Sequence, residues 1–448
     1  MTVPQETDDV PSAFDPFRQF FSFRRDVLVL SVAMFAFSLG FQMTSRYIPE
    51  YMNALGATAL VIGLFGTVQN LISAAYPYPG GVLSDRLGSR YALTLFGLIS
   101  SLGFAVWLVA PNLGTFSLLG VTVEPWVWIF VGLFLAQAWK SFGLGATYAI
   151  VKQSVPPSKL ARGFASTEVF RRTAFLVGPL IAAGVLFVFT DFTVGFQVVL
   201  AIAVVFAVVA TVAQHVLYEA EDTTIGKSFE GVSEIRADLR NMPPELRPLL
   251  VADMLVRFGN GMVYVFFVIV VIDFLEVGLD LGAITLSPAV FFGVLLAIEM
   301  LVAIVSMPVA AKLAESVGLK PVVAFGFSVY AIFPVLLINS PADALVVAIL
   351  FAYSGLRFAG LPAHKALIVG PAERDTGGRV AGSYYLVRNT LVIPSAAIGG
   401  AIYGGFAIPW TDLAFGGSEP LAFALATVIG LVGTVYFLAF GREFSAYQ

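Results

Sequence analysis

Long apolar runs, separated by short polar punctuation, dominate this chain. Cut at charged clusters and Gly/Pro-rich turns, they fall at 26–48, 58–83, 91–111, 124–151, 162–187, 193–216, 248–274, 285–311, 321–340, 343–370, 379–407 and 420–440. Each is close to the 20 or so residues that a helix needs to cross a bilayer, or longer. The longest imply tilt, or extension beyond the hydrocarbon. Inside a bilayer the backbone polar groups must be bonded within the segment, so the runs are read as helices. The pattern therefore predicts an all-α membrane protein with twelve transmembrane helices, numbered helix 1 to helix 12 in chain order. The one long polar segment, 217–247, divides them into a bundle over 26–216 and a second over 248–440. Residues 1–25 and 441–448 form the terminal segments. The stretch Ser233–Met242 within the linker has the pattern of a short amphipathic surface helix.

Composition agrees. Hydrophobic side chains make up 58% and charged ones only 12% of the 448 residues, whereas a soluble domain carries about a quarter charged residues. Such a chain takes lipid as its solvent. It has no cysteine and two histidines, His215 and His364, which excludes disulfides, thiolate metal sites and histidine-rich metal centres. No metal or cofactor is expected. Gly143-Leu144-Gly145 lies within a predicted helix, with no strand before it, and so is not a nucleotide loop. No nucleophile–base pair stands out, which argues against an enzyme. The acidic N-terminus lacks the pattern of a cleaved signal peptide.

Charge in the loops sets an orientation. One set of loops holds Arg18, Arg24, Arg25, Arg86, Arg90, Lys152, Lys159, Arg162, Lys227, Arg236, Arg240, Arg247, Lys312, Lys320, Arg374, Arg379 and Arg442. The other set holds Asp191, Asp273, Glu276, Asp280, Asp412 and Glu419, with Arg46 at the end of helix 1 as its lone base. The asymmetry places both termini in the cytoplasm and the protein in the cytoplasmic (inner) membrane.

The two bundles repeat one another. Shifted by 217 positions, Lys140 falls on Arg357, Gly143 on Gly360, Arg162 on Arg379, Ser166 on Ser383, Arg171 on Arg388 and Thr173 on Thr390. Near helices 2 and 8 the shift is 230: Gln69 falls on Glu299, Asp85 on Glu315, Gly88 on Gly318 and Arg90 on Lys320. Two like-oriented, pseudo-symmetric six-helix bundles form a known transporter plan, with the substrate between them near the midplane.

Between helices 2 and 3 stands Gly81-Val82-Leu83-Ser84-Asp85-Arg86-Leu87-Gly88-Ser89-Arg90. It resembles the signature loop of the major facilitator superfamily, G-x-L-x-D-R-x-G-R-R, and departs from it at Ser89. A worn copy lies at 311–320. The resemblance implies that Gly81, Asp85, Arg86, Gly88 and Arg90 act as a conformational latch rather than a substrate site. Tyr47-Ile48-Pro49-Glu50-Tyr51 resembles the outer end of helix 1 in drug/proton antiporter-like branches. Gly178-Pro179 with Gly184 resembles their antiporter motif, with Ala174 where a glycine is expected.

Charges inside apolar helices are the candidate chemistry. Arg171 lies nine residues beyond Arg162, about 13 Å into the membrane at helical rise, and Arg388 repeats that depth. Facing lipid there would cost at least ~2.5–3.5 kcal/mol, so these groups face the interior. The deep bases are Lys140, Arg171, Arg172, Arg257, Arg357 and Arg388, and the deep acids Glu168, Asp253 and Glu299. Surplus positive charge attracts anions, and arginines grip carboxylate or phosphate with two prongs. Arg171, Arg388, Lys140 and Arg357 are therefore the expected substrate-binding residues. The alternative is an ion network: Glu168 sits three and four residues before Arg171 and Arg172, and Asp253 four before Arg257.

Glu299, Glu168 and Asp253 are the candidates for proton coupling, because a desolvated carboxylate titrates nearer neutrality. Glu299 replaces Gln69 of the other half, and His364 is a further candidate. The expectation is a monomeric, proton-coupled secondary transporter of a small organic anion, working by alternating access. A proton-driven multidrug exporter and a non-transporting membrane sensor are the alternatives. Its partners are a small-molecule substrate, protons and lipid, with no nucleic acid.

Overall fold

The computed structural model describes residues 25–76, 89–118, 121–139, 160–217, 243–244, 246–370, 377–407 and 414–443. All twelve expected helices are present. Helix 1 is Arg25–Thr44, helix 2 Ala59–Ala75, helix 3 Ser89–Val109 and helix 4 Val127–Ala136. Helix 5 is Leu160–Val188 and helix 6 Phe192–Leu217. Helix 7 starts as Leu246–Val263 and continues in shorter pieces to Phe274. Helix 8 is Pro288–Val317, past the expected end at 311, and helix 9 is Leu319–Ile338. Helix 10 is split into Ala344–Gly355 and Leu361–Val369, helix 11 into Gly377–Val392 and Ser395–Gly404, and helix 12 is Glu419–Phe440. Most of the linker, 218–242, lies outside the described residues.

Among the described residues, eight helices are long and apolar enough to cross a membrane, and helices 2, 4 and the Arg172–Val188 part of helix 5 are shorter apolar segments. The helix starts follow local chemistry. Thr58, Asp343 and Ser418 each accept a hydrogen bond from a backbone N–H of the first turn, satisfying a donor with no partner inside the helix. Proline opens helices 8 and 12, where its missing N–H costs nothing. Gly318, between helices 8 and 9, has φ of 89°, a conformation that favours glycine. It is the repeat counterpart of Gly88, and the adjoining Lys320 N–H is capped by the Glu443 carboxylate at 2.8 Å.

Three two-stranded hairpins join helices 3 to 4, 7 to 8 and 11 to 12: Phe116–Leu118 with Val121–Val123, Leu279–Asp280 with Thr285–Leu286, and Gly405–Ala407 with Ala414–Gly416. Because successive helices reverse direction, all three lie at one end, called here the hairpin side.

The outside of the bundle is apolar. Val205, Val209, Val212 and Val216 form an exposed stripe at helical spacing on helix 6, and Val428, Val432 and Val435 do so on helix 12. Asp253, Glu299 and Arg357 are buried instead. This is the inverse of a soluble protein, as lipid solvent requires.

The two halves meet along helices 2 and 11. Gly63 lies so close to Ala396 and Gly400 that a Cβ would collide with the Ala396 carbonyl, a close approach that small residues permit. Helix 11 breaks at Ile393-Pro394, and the freed Ala397 N–H is taken up by Thr67 Oγ1 of helix 2 at 2.9 Å. At the hairpin side, Tyr47 donates to the Ala289 carbonyl at 3.0 Å, and Asn53 donates to Asp273 at 2.8 Å.

Candidate functional site in the helix interior

Helix 10 was expected to run unbroken over 343–370. It loses its α-helical form after Gly355, tightens through Leu356–Phe358, and restarts at Leu361 with Pro362 in its first turn. The break puts Arg357 on irregular backbone in the middle of the membrane. Helix 4 ends at Ala136, within two residues of the matching repeat position, and passes through a turn to Trp139. Lys140, the counterpart of Arg357, lies outside the described residues. Helix 7 is distorted too, passing through 3-10 geometry at Tyr264–Phe266 and a π turn at Val270–Phe274. Broken helices at membrane depth recur where transporters build their sites.

Two buried carboxylates organise the interior. Glu299 of helix 8 is 1% exposed. Arg357 Nη2 donates to its Oε1 at 2.7 Å, Ser354 Oγ to the same oxygen at 2.6 Å, and Arg46 Nη2 to Oε2 at 3.3 Å. The Arg46 guanidinium also lies 4.3 Å from the centre of the Tyr264 ring. Arg46 comes from the first half and the rest from the second, so this cluster bridges the halves.

Asp253 of helix 7 is fully buried. Arg257, one turn on, donates from Nε to Oδ1 at 3.3 Å, as the i,i+4 spacing anticipates. Oδ2 receives Arg388 Nη1 at 3.3 Å and the Tyr384 hydroxyl at 3.1 Å, and His364 Nε2 stands 3.2 Å away. Tyr330 joins the clusters. Its hydroxyl accepts from Arg257 Nη1 at 3.1 Å, and the guanidinium carbons of Arg257 and Arg357 lie 4.8 and 5.0 Å from its ring centre. Arg172 is buried with its guanidinium 4.6 Å from the Phe175 ring and 4.0 Å from the Phe358 ring.

Four arginines thus converge on two carboxylates, with Arg172 stacked beside them. Arg357 and Arg388, expected to bind substrate, sit on different acids: Arg357 on Glu299 and Arg388 on Asp253. Arg171 and Glu168 fall on the helix 5 backbone, and their side chains lie outside the described residues. So do Gly81, Asp85, Arg86 and Gly88, and the Arg90 side chain.

Sequence reasoning missed Arg46 as a site residue. Its signal was there, because it was the lone base among otherwise acidic loops, but a position at a helix end reads as solvated. Tyr330 and Ser354 carried no signal. Lys365, a buried base next to His364, was also overlooked.

Two small cavities border these clusters. One, between the halves, is lined by Gln42, Arg46, Phe175, Pro179, Glu299 and Met300 among others. The other lies within the second half, between helices 7, 9 and 10, against Arg257, Tyr330, Arg357 and His364. Each offers about 10 Å³ of room, about what one water needs.

The fold has close counterparts among solved transporters. A nucleoside transporter, NupG, superposes with a TM-score of 0.64 at 10% identity, over 93% of this chain and 99% of that one. The human organic anion transporter TETRAN gives 0.60 at 14%, over 92% and 99%. A POT family transporter in complex with 5-aminolevulinic acid gives 0.60 at 16%, over 94% and 97%. By sequence, an uncharacterised MFS-type transporter of Mycobacterium tuberculosis is 30% identical over 198 residues, 44% of this chain. The match spans only 42% of that relative's length. These named proteins are all transporters. Residues 30–393 match the Major Facilitator Superfamily, and the chain belongs to that family.

Proposed function

We propose that this protein is a secondary transporter of a small organic anion, coupled to protons and working by alternating access. The observation that carries this reading is Glu299. It holds Arg46 of the first half and Arg357 at the helix 10 break, each within 3.3 Å. A resident carboxylate gripped from both halves occupies the place that a substrate carboxylate or phosphate would take. Adding a proton to Glu299 removes its charge and frees two guanidiniums, which then bind the incoming anion. When the anion leaves, the arginines recapture Glu299 and its proton departs. This exchange avoids leaving a buried charge alone, which costs several kcal/mol.

Asp253 is the second candidate proton site, with Arg388 as the base released to substrate. Arg171, Lys140 and Glu168 complete the proposed set from the first half. Two structural neighbours, an organic anion transporter and a transporter in complex with 5-aminolevulinic acid, are compatible with an acidic cargo. The loop charge asymmetry supports an inner-membrane location with cytoplasmic termini. The protein is proposed to act as a monomer.

The test is the melting temperature of purified protein against a panel of organic anions and a panel of lipophilic cations. A ligand that prefers the folded state raises it. The expected result is stabilisation by anions that disappears in Arg46→Gln and Arg357→Gln. Stabilisation by cations alone would overturn the anion reading in favour of a drug exporter.

A further inference from the structure

The cavity inside the second half differs in kind from the one between the halves. Its lining, drawn from helices 7, 9 and 10, includes Arg257, Arg357 and His364 and no Asp or Glu. Arg357 is 3% exposed, yet among the described residues only its Nη2 finds a carboxylate; Nε and Nη1 are buried with no hydrogen-bond partner. His364 Nδ1 is likewise buried and without a partner, while Nε2 faces Asp253. The Tyr330 hydroxyl accepts from Arg257 and keeps its own hydrogen to give. Unmade hydrogen bonds from a buried guanidinium are costly, and native proteins fill such gaps with an ordered partner.

Size and charge narrow the partner. The room, about that of one water, admits a single small species, and a chloride once the lining yields by a few tenths of an ångström. A water accepts about two hydrogen bonds and must also give two, whereas the lining side chains offer chiefly donors. A monatomic anion accepts several N–H and O–H groups and gives none. It also meets two guanidiniums near one tyrosine ring, in a network where four arginines share two carboxylates and surplus positive charge at low dielectric is expensive.

We propose that this cavity is a binding site for a single halide-sized inorganic anion, held by Arg357, Arg257 and the Tyr330 hydroxyl. It is distinct from the inter-half site proposed for substrate, with which it shares Arg357. The ion ties helices 7, 9 and 10 together and compensates the two Arg357 donors that Glu299 does not reach. His364 adds a donor when protonated.

The experiment uses full-length purified protein, as the wild type and as Arg46→Gln. Its melting temperature is measured in sodium chloride, sodium bromide and sodium gluconate at equal ionic strength. The expected result is a saturable rise of roughly 2 °C in chloride and bromide over gluconate. Arg257→Gln and Arg357→Gln abolish the rise, and Arg46→Gln, which touches only the inter-half cavity, retains it. Equal melting temperatures of Arg46→Gln in chloride and gluconate overturn the proposal, and a water fills the site. A chloride effect lost in Arg46→Gln but kept in Arg257→Gln overturns it too, placing the ion between the halves. Gluconate is itself a carboxylate of the class proposed as substrate, so the deciding comparison is made in Arg46→Gln, where the inter-half site is disabled, and the transport reading is tested separately by the organic-anion panel.

Discussion

Arg46 and Glu299 lie 253 positions apart in sequence, and their side chains meet at 3.3 Å inside the membrane. The pair joins the end of helix 1 to the middle of helix 8, and so one half of the protein to the other. Both groups are largely buried, at 12% and 2% side-chain exposure. Removing one partner of a buried pair leaves the other uncompensated, at a cost of roughly 3–5 kcal/mol. Here Arg357 and Ser354 still hold Glu299, so the expected loss in Arg46→Met is smaller, about 1–3 kcal/mol. A double-mutant cycle with Glu299→Gln, read by denaturation in detergent, should give a coupling energy of about 1–3 kcal/mol. Additive effects would mean that the two groups are near neighbours without an energetic bond.

Asp253 is the more heavily loaded carboxylate, facing Arg257, Arg388, His364 and Tyr384. Replacing it by asparagine leaves two arginines around a neutral amide. Asp253→Asn should therefore destabilise the protein by several kcal/mol. Tyr384→Phe removes one hydrogen bond to a charged group and should cost about 1.5–3 kcal/mol. If Tyr384→Phe costs nothing, the tyrosine matters through packing rather than through its hydroxyl. Arg388→Gln separates the roles: loss of anion-induced stabilisation with a small change in intrinsic stability would mark a substrate ligand.

Where helix 2 crosses helix 11, Gly63 leaves no space for a side chain: a Cβ would meet the Ala396 carbonyl and Gly400. Overpacking of this kind costs about 1–3 kcal/mol. Because the contact lies between the halves, Gly63→Val should spread them at the hairpin side. Accessibility of a cysteine placed at Asn53 to a membrane-impermeant reagent should rise several-fold. Unchanged labelling would show that the crossing yields by local movement instead.

The fold was legible because lipid imposes one rule on every segment: about 20 apolar residues, bonded internally. The places of the twelve helices follow from that rule alone. Helix 10 shows where it runs out. Apolar content continues through Gly355–Pro362, and only the glycines and proline hint at the break that presents Arg357. The internal repeat paired Arg357 with Lys140, and helix 4 does stop within two residues of the corresponding place. Burial of Arg357, Asp253 and Glu299 followed from the cost of charge in lipid. Their partners did not, because pairing across helices is a tertiary fact. Arg388 and Arg357 look equivalent in the sequence, yet they serve different carboxylates. The Arg46 contact was hidden by its place at a helix end.

The hairpin side carries the pH dependence that can be argued most directly. Glu50 lies on the short helix Ile48–Ala54 that follows helix 1, with 7% exposure. Burial and, second, the charge of Asp273 push its carboxyl up to about 7, against the opposing pull of the Asn53 side chain. The unfolded value is near 4.3. An acid whose pKa is raised by folding favours the folded state fully below its unfolded pKa, and that contribution is lost as pH rises through the folded pKa. The window is therefore pH 4.3 to 7, and the loss across it is roughly 3–4 kcal/mol. Glu50→Gln keeps the shape and removes the titration. The melting temperature of the wild type should fall relative to Glu50→Gln between pH 5 and pH 8, so that the variant is the more stable at pH 8. Asp273→Asn, which removes the second cause, should shrink that difference. A constant offset between wild type and Glu50→Gln across the range would mean that Glu50 is already charged at pH 5, with its proton lost to solvent rather than held at the junction of the two halves.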